Sequence, residues 1–436
     1  MNIIKSIIVT LVLLVKCLRI DGSNIVCFLD SSNPSLIAVE ALTVALHDCT
    51  HFIYGYATLT PRYFSLSFDG SVGRTLALAD IAGLKEQFPK VKFLLSLGGN
   101  RDLVDNQKYM QLLDAKEAEQ QNFIQSVLKV LNFYKFDGLD LAYQFPNEIA
   151  SKAPEDDAVG FWRGVRNLFG GKSEEKPKAR QYKMEFSKLV ESLSSHLKSE
   201  KRLLTLSVLP HVNPDSYFDI PTLNKHLDFV HLWSFDYVTP LRSPHRADYP
   251  APLFAPTSKG NSLPHSNVDS QVRYWLAHNV SSEKLILGIP SFGRTWKLTK
   301  LPNHGRAPLV ENVNGPSEVG DESQTPGVLN WLEICGMLTN YSIQTKGSYD
   351  QGHYLMYPSS DIYSQDTWIG FDGPNIAHYK SLYASAEKLG GVAEIDLSFD
   401  DYGGNCTGLK FPILKYMKGM LKKVENIVED FEMPSN

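Results

Sequence analysis

Short runs of β-branched and aromatic residues recur along the chain, at 25–29, 52–57, 91–97, 138–143, 203–208, 229–235, 285–289 and 391–395. Each has the length of a buried strand, bounded by polar or turn-forming residues. Between the third and fourth runs, Phe123, Ile124, Val127, Leu128, Leu131 and Tyr134 return at helical spacing, and similar patterns predict helices over 182–197 and 375–389. Strand and helix alternating through eight runs predicts an α/β fold, best drawn as a (β/α)8 TIM barrel. On pattern alone an open doubly wound sheet fits almost as well. Two stretches break the alternation. Residues 147–181 are polar and mixed in charge, and read as a long surface loop after the fourth strand. Residues 297–367 carry turn signals such as Asn314-Gly315-Pro316, and read as a small α+β subdomain inserted between strands 7 and 8.

The first 22 residues read as a separate segment. Lys5 precedes a nine-residue apolar run, 7–15, too short to span a bilayer but suited to a secretory signal peptide. A buried N-terminal strand is the other reading of that run. With 1–22 removed, 23–436 is expected to be a secreted, extracellular chain with no membrane insertion. Four cysteines then remain, Cys27, Cys49, Cys335 and Cys406; an even number in an oxidising compartment suggests two disulfides, with three possible pairings. Asn279 and Asn340 open glycosylation sequons. The net charge of −5 argues against nucleic acid as a partner. No Cys or His spacing suggests a metal, and no cofactor motif appears.

The informative run is 136–146, Phe-Asp-Gly-Leu-Asp-Leu-Ala-Tyr-Gln-Phe-Pro. Strand alternation puts Gly138, Asp140, Ala142 and Gln144 on one face, with Asp140 in the barrel and Gln144 at its C-terminal mouth, where barrel active sites lie. This run resembles the signature of family-18 glycoside hydrolases, the chitinases, D-G-x-D-x-D-W-E-Y-P. The resemblance extends over nearly the whole chain: Ser96-Leu97-Gly98-Gly99, Trp233-Ser234-Phe235-Asp236, Gly293-Arg294 and 391–402 match family motifs in order. It implies that the catalytic glutamate falls on Gln144 and a neighbouring aspartate on Ala142. A carboxamide has no proton to give near neutral pH, and general acid catalysis is worth about 10²–10⁴-fold. The family's sixth-strand tyrosine falls on Phe235. Its sugar-stacking tryptophans fall on Ser32, Asn100 and Ile395. The resemblance therefore implies a scaffold that is not an enzyme, with Asp137, Asp140, Ala142 and Gln144 as vestigial catalytic positions. Tyr56, Asp140, Gln144, Trp233, Asp236 and Arg294 remain as candidate sugar-binding residues. The nearer reading of Trp233 is that it fills space at the mouth.

One branch of the family, the imaginal disc growth factors of insects, is similar in its glutamine at the acid position, its long loop after the fourth strand and its Ile395-Asp396-Leu397-Ser398 phrase. That resemblance implies the pairings Cys27–Cys49 and Cys335–Cys406. It also implies a secreted factor promoting proliferation, motility and morphogenesis with insulin-like signalling, through an unidentified cell-surface receptor. Chitin oligomers or other glycans are the alternative partners, bound by a lectin that organises matrix or cuticle.

Overall fold

Parallel pairing follows the eight apolar runs in order. The computed structural model describes residues 23–33, 37–68, 78–146, 177–255, 265–299, 310–339, 345–348, 351–358 and 366–421. The expected signal segment, Asn340 and most of the 147–181 loop lie outside these. The barrel strands are β1 (Asn24–Asp30), β2 (His51–Leu59), β3 (Lys92–Gly98), β4 (Gly138–Ala142), β5 (Leu203–Val208), β6 (Phe229–Leu232), β7 (Leu285–Pro290) and β8 (Gly391–Ile395). Each pairs in parallel with the next, and β8 pairs with β1, which closes the sheet. Closure excludes the open-sheet alternative.

The helices form where the apolar stripe has a wall to cover. Helix Glu117–Phe133 buries Phe123, Ile124, Val127 and Leu131, and Glu119 accepts the Lys116 backbone N–H at 2.9 Å to close its first turn. Helix Pro177–Ser199 starts inside the stretch expected to be loop and buries Phe186, Leu189, Val190, Leu193 and Leu197. One residue after β7, strand Phe292–Leu298 begins a six-stranded antiparallel sheet that ends at Phe371, so this layer takes in residues on both sides of the expected 297–367. Its own core is aromatic: Trp368 stacks on Tyr354 at 5.7 Å and meets Trp296 edge-on at 5.4 Å.

Past β8 the chain turns through an acidic stretch. The Asp400 carboxylate accepts the N–H groups of Ile413 (3.0 Å) and Leu414 (3.4 Å), at the start of the helix over 412–421. Asp401 accepts those of Asn405 and Cys406. Glu394 of β8 is fully buried beside Asp400 and takes a hydrogen bond from Ser291 at 2.8 Å. Its Oε2 reaches no donor among the described residues. The contact with Asp400 is therefore a hydrogen bond only when a proton lies between the two carboxyls.

Both disulfides form as the resemblance implies, Cys27–Cys49 across 22 residues and Cys335–Cys406 across 71. The first ties β1 to the turn before β2; the second ties helix Trp331–Leu338 of the inserted layer to the turn after β8. Loop-closure entropy makes the longer bridge worth more, about 4 kcal/mol against about 3. Serine pairs at each bridge should reproduce that order in urea denaturation; the shorter bridge costing more would refute the entropic account.

Candidate functional site at the barrel mouth

A cavity of about 540 Å³ opens at the C-terminal end of the barrel, within the size range of ligand pockets. Its walls come from the ends of β1, β2 and β8 and the segments after β3, β5, β6 and β7. Of the residues singled out from sequence, Tyr56, Trp233, Asp236 and Arg294 line it, while Asp140 and Gln144 do not.

Asp140 is fully buried at the centre of a hydrogen-bond cluster. Ser96 (2.7 Å) and Ser207 (2.9 Å) donate to one oxygen, Thr205 (2.7 Å) and His231 Nδ1 (3.1 Å) to the other. Strand register puts all four donors in reach: Ser96 and Thr205 sit opposite Asp140 on the flanking strands, and His231 follows through β6. Burial alone would raise the Asp140 pKa. The His231 hydrogen bond and charge, with the Ser96 and Thr205 hydroxyls, outweigh it and hold the carboxyl below its ordinary value.

Gln144 is 0% exposed. Its amide nitrogen donates to the Gly99 carbonyl at 2.6 Å, and its carbonyl oxygen accepts from His211 Nε2 at 3.1 Å. His211 lines the cavity, and burial, then the charge of Arg242, lowers its pKa to about 4, so near pH 7 it is a neutral donor. Gln144 is therefore at the mouth end of its strand but is held inside the wall. Gly99 makes this possible: a Cβ there would lie 2.1 Å from the Tyr56 ring, and its φ of +55° is one L side chains rarely adopt. Ala142 is also fully buried.

Asp137 stands apart. It precedes β4, and its carboxylate takes the Phe93 backbone N–H at 2.7 Å and an ion pair from Lys85. Helix Leu78–Gln87 is thereby pinned to β3 at the pole away from the cavity, so this aspartate is a structural brace. Alternation along 137–144 already assigns it to the face opposite Asp140.

Trp233 is 2% exposed, stacked on Phe235 at 5.5 Å and edge-on to Phe28 at 5.9 Å. One ring face is thus spent on packing, as the space-filling reading expects. Asp236 and Arg294 form a two-pronged ion pair at 2.6 and 2.5 Å, and Arg242 donates to the Asp236 carbonyl. This pair locks the strand after β7 to the loop after β6.

Two acidic residues of the cavity were not picked out as site residues from sequence. Asp30 ends β1 and Asp396 follows β8, so the β1–β8 pairing brings them to adjoining positions on the rim. Burial, then the neighbouring Asp30, pushes the Asp396 pKa up to about 7; burial also raises that of Asp30. Ser32 and Asn100, where the resemblance implied lost tryptophans, both donate to Asp30. Asn33 and Ser398 donate to Asp396. The clue in the sequence was that both carboxyls sit at strand C-terminal ends. His211 had no such clue, because only the loop after β5 brings it to Gln144.

A closed parallel barrel with its cavity at the C-terminal mouth and an antiparallel layer after β7 is the architecture of a glycoside-hydrolase scaffold, and the family model "Glycosyl hydrolases family 18" matches residues 24–400. The chain belongs to that family. Within it, the chain is similar to the Chitinase-like protein Idgf1 of Drosophila melanogaster, 39% identical over 420 residues, 91% of this chain and 94% of that protein. Among solved structures, catalytic domain 2 of the Ostrinia furnacalis Group II chitinase superposes with a TM-score of 0.73 at 24% identity, covering 92% of this chain and 96% of that one. Human YKL-39, described as a pseudo-chitinase with retained chitooligosaccharide binding properties, gives 0.72 at 21%, covering 92% and 100%. At these identities the two structures speak to the fold. Among the described residues no helix is long and apolar enough to cross a membrane.

Proposed function

We propose that this chain is a secreted, catalytically inactive chitinase-like growth factor, promoting cell proliferation, motility and tissue morphogenesis in cooperation with insulin-like signalling. One observation carries the loss of hydrolysis. The residue at the acid position is an amide, boxed between the Gly99 carbonyl and a neutral His211, with no titratable proton and no access to the cavity. The similarity to Idgf1 over nearly the whole chain supports the growth-factor role. The partner on this reading is a cell-surface receptor or another component of the insulin-like pathway.

The test is to add the purified secreted chain to cultured insect epithelial cells with and without insulin, counting cells and tracking migration. Growth enhanced in the presence of insulin supports the proposal; no response at saturating protein refutes it. Gln144→Glu should not restore hydrolysis, because Ala142 and Phe235 remain and the new carboxyl would face Gly99. Reducing ends released from N-acetylglucosamine hexamers by that variant above blank would show the site to be one substitution from activity.

A second reading, a lectin for chitin oligomers or other glycans, is favoured by the cavity itself, which stays open and lined with polar groups although Gln144 has left it.

A further inference from the structure

The turn after β8 carries a signal that the functional reading leaves unused. Asn405-Cys406-Thr407 is an asparagine followed two residues on by threonine, with no proline between. Asn405 and Thr407 are both exposed. The hydrogen bond that Asn405 makes among the described residues runs through its backbone N–H, to Asp401 at 2.8 Å. Its side-chain amide lies over Gly403, where a Cβ would meet the amide oxygen at 2.9 Å. The turn stands at the mouth pole. It follows Asp396 and Phe399 of the cavity wall and leads into the helix over 412–421, which runs to the opposite pole, where Lys418 bonds the His47 carbonyl at 3.1 Å.

The middle residue of this signal is half of a disulfide. Cys406 is joined to Cys335 of helix Trp331–Leu338. Its N–H is held by the same Asp401 carboxylate, at 2.9 Å. In the finished fold the backbone between Asn405 and Thr407 is therefore clamped from two sides. A transferring enzyme has to draw the asparagine amide and the threonine hydroxyl into its own site together, and the clamp prevents that. Before the bridge closes, the segment lacks this clamp, since Cys335 lies 71 residues upstream and the two must first meet. Disulfide formation takes seconds or longer, which leaves a window for transfer. Because the Asn405 side chain is on the surface of the turn, the bridge can still close once that side chain has been modified.

We infer that Asn405 is an N-glycosylation site, filled before the Cys335–Cys406 bridge closes, so that bridge formation sets its occupancy. The donor is a lipid-linked oligosaccharide diphosphate. The Asn405 amide nitrogen bonds to the sugar C1 and gives up a proton to a base of the transferring enzyme. The bond from C1 to the diphosphate oxygen breaks, and the lipid diphosphate leaves with that electron pair. The chain is then a mixture of two forms, with and without carbohydrate at the mouth pole. This rests on the secreted reading, since both the transfer and the bridge belong to the secretory route.

The experiment is peptide mass spectrometry of the full chain expressed in cultured insect cells, taken from both medium and cell extract. The Asn405 peptide and the Cys335–Cys406 bridge are read in the same digest. In the parent, part of the Asn405 peptide should carry an N-acetylglucosamine core, and Thr407→Ala should carry none. Cys335→Ser, which leaves Cys406 without its partner, should raise occupancy towards complete. Brief dithiothreitol treatment of cells making the parent should give the same rise. The readout is covalent and includes the cell extract, so a variant that misfolds still reports. Asn405 bare in the parent, with the chain in the medium and the bridge formed, overturns the assignment while the secreted reading stands. Equal occupancy in the parent and Cys335→Ser overturns the control by the bridge. No chain in the medium, with the cysteines free, removes the secreted reading as well.

Discussion

Replacing Glu394 with glutamine should stabilise the folded chain by a few kcal/mol at pH 8 and change it little at pH 4. Glu394 and Asp400 are fully buried, and the only proton they can share lies between them. Burial, then the charge of Asp400, raises the Glu394 pKa well above its ordinary value; burial pushes Asp400 from 3.8 up to about 7. Carboxyls whose folded pKa exceeds the unfolded one add stability that is fully present below about pH 4. It is lost as pH rises, because the unfolded chain ionises first, and the part due to Asp400 levels off past about 7. At about 1.4 kcal/mol per pH unit the Asp400 shift alone corresponds to roughly 4 kcal/mol, an upper bound for a coupled pair. Glutamine keeps both contacts, accepting from Ser291 and donating to an ionised Asp400, without needing the proton. Asp140, with its lowered pKa, pulls the other way, its contribution being lost as pH falls, but it is common to both proteins and cancels in their difference. Urea denaturation of the two proteins at pH 4, 6 and 8 measures that difference, and parallel stability curves would sink the account. Since Asp400 also holds the first turn of the 412–421 helix, protection of that helix against hydrogen exchange, taken relative to the intrinsic rate at each pH, should fall as pH rises in the parent and not in the variant.

Asp140→Ala should be the most damaging single change in the barrel, costing about 3–5 kcal/mol. The substitution removes one side chain and strands four donors, Ser96, Thr205, Ser207 and His231, in a core from which water is excluded. Asp140→Asn should cost less, because its remaining oxygen still accepts. Chemical denaturation reads both, and a loss under about 1 kcal/mol for alanine would mean the cluster is not the brace its geometry describes. Ligand titration of the asparagine variant should be close to that of the parent, because Asp140 does not line the cavity. The aspartate is thus a stability element of the barrel and not a group of the cavity wall.

The strands were legible because each is buried on both faces and reads as an unbroken apolar run. The closed sheet was not separable from an open one, since closure depends on β1 meeting β8, and no local pattern states that contact. The inserted layer begins earlier than its turn signals, because Phe292–Leu298 follows β7 with a single residue between and carries no break. At the site, Asp140, Trp233 and the Asp236–Arg294 pair were readable from strand ends and motif order. The burial of Gln144 was not, because it depends on Gly99 and His211, which come from two other loops. Ser32 and Asn100 show a related limit: seen singly they are lost stacking residues, and only the fold shows them sharing one task at Asp30.

The position of Asn279 bears on how this molecule meets its surroundings. It is exposed, in the turn between helix Val268–Ala277 and β7, and so sits at the N-terminal pole of the barrel, opposite the cavity. A glycan there would coat the pole that only supports the scaffold and leave the mouth bare. A protein tethered to a surface through that residue would face outward, cavity first.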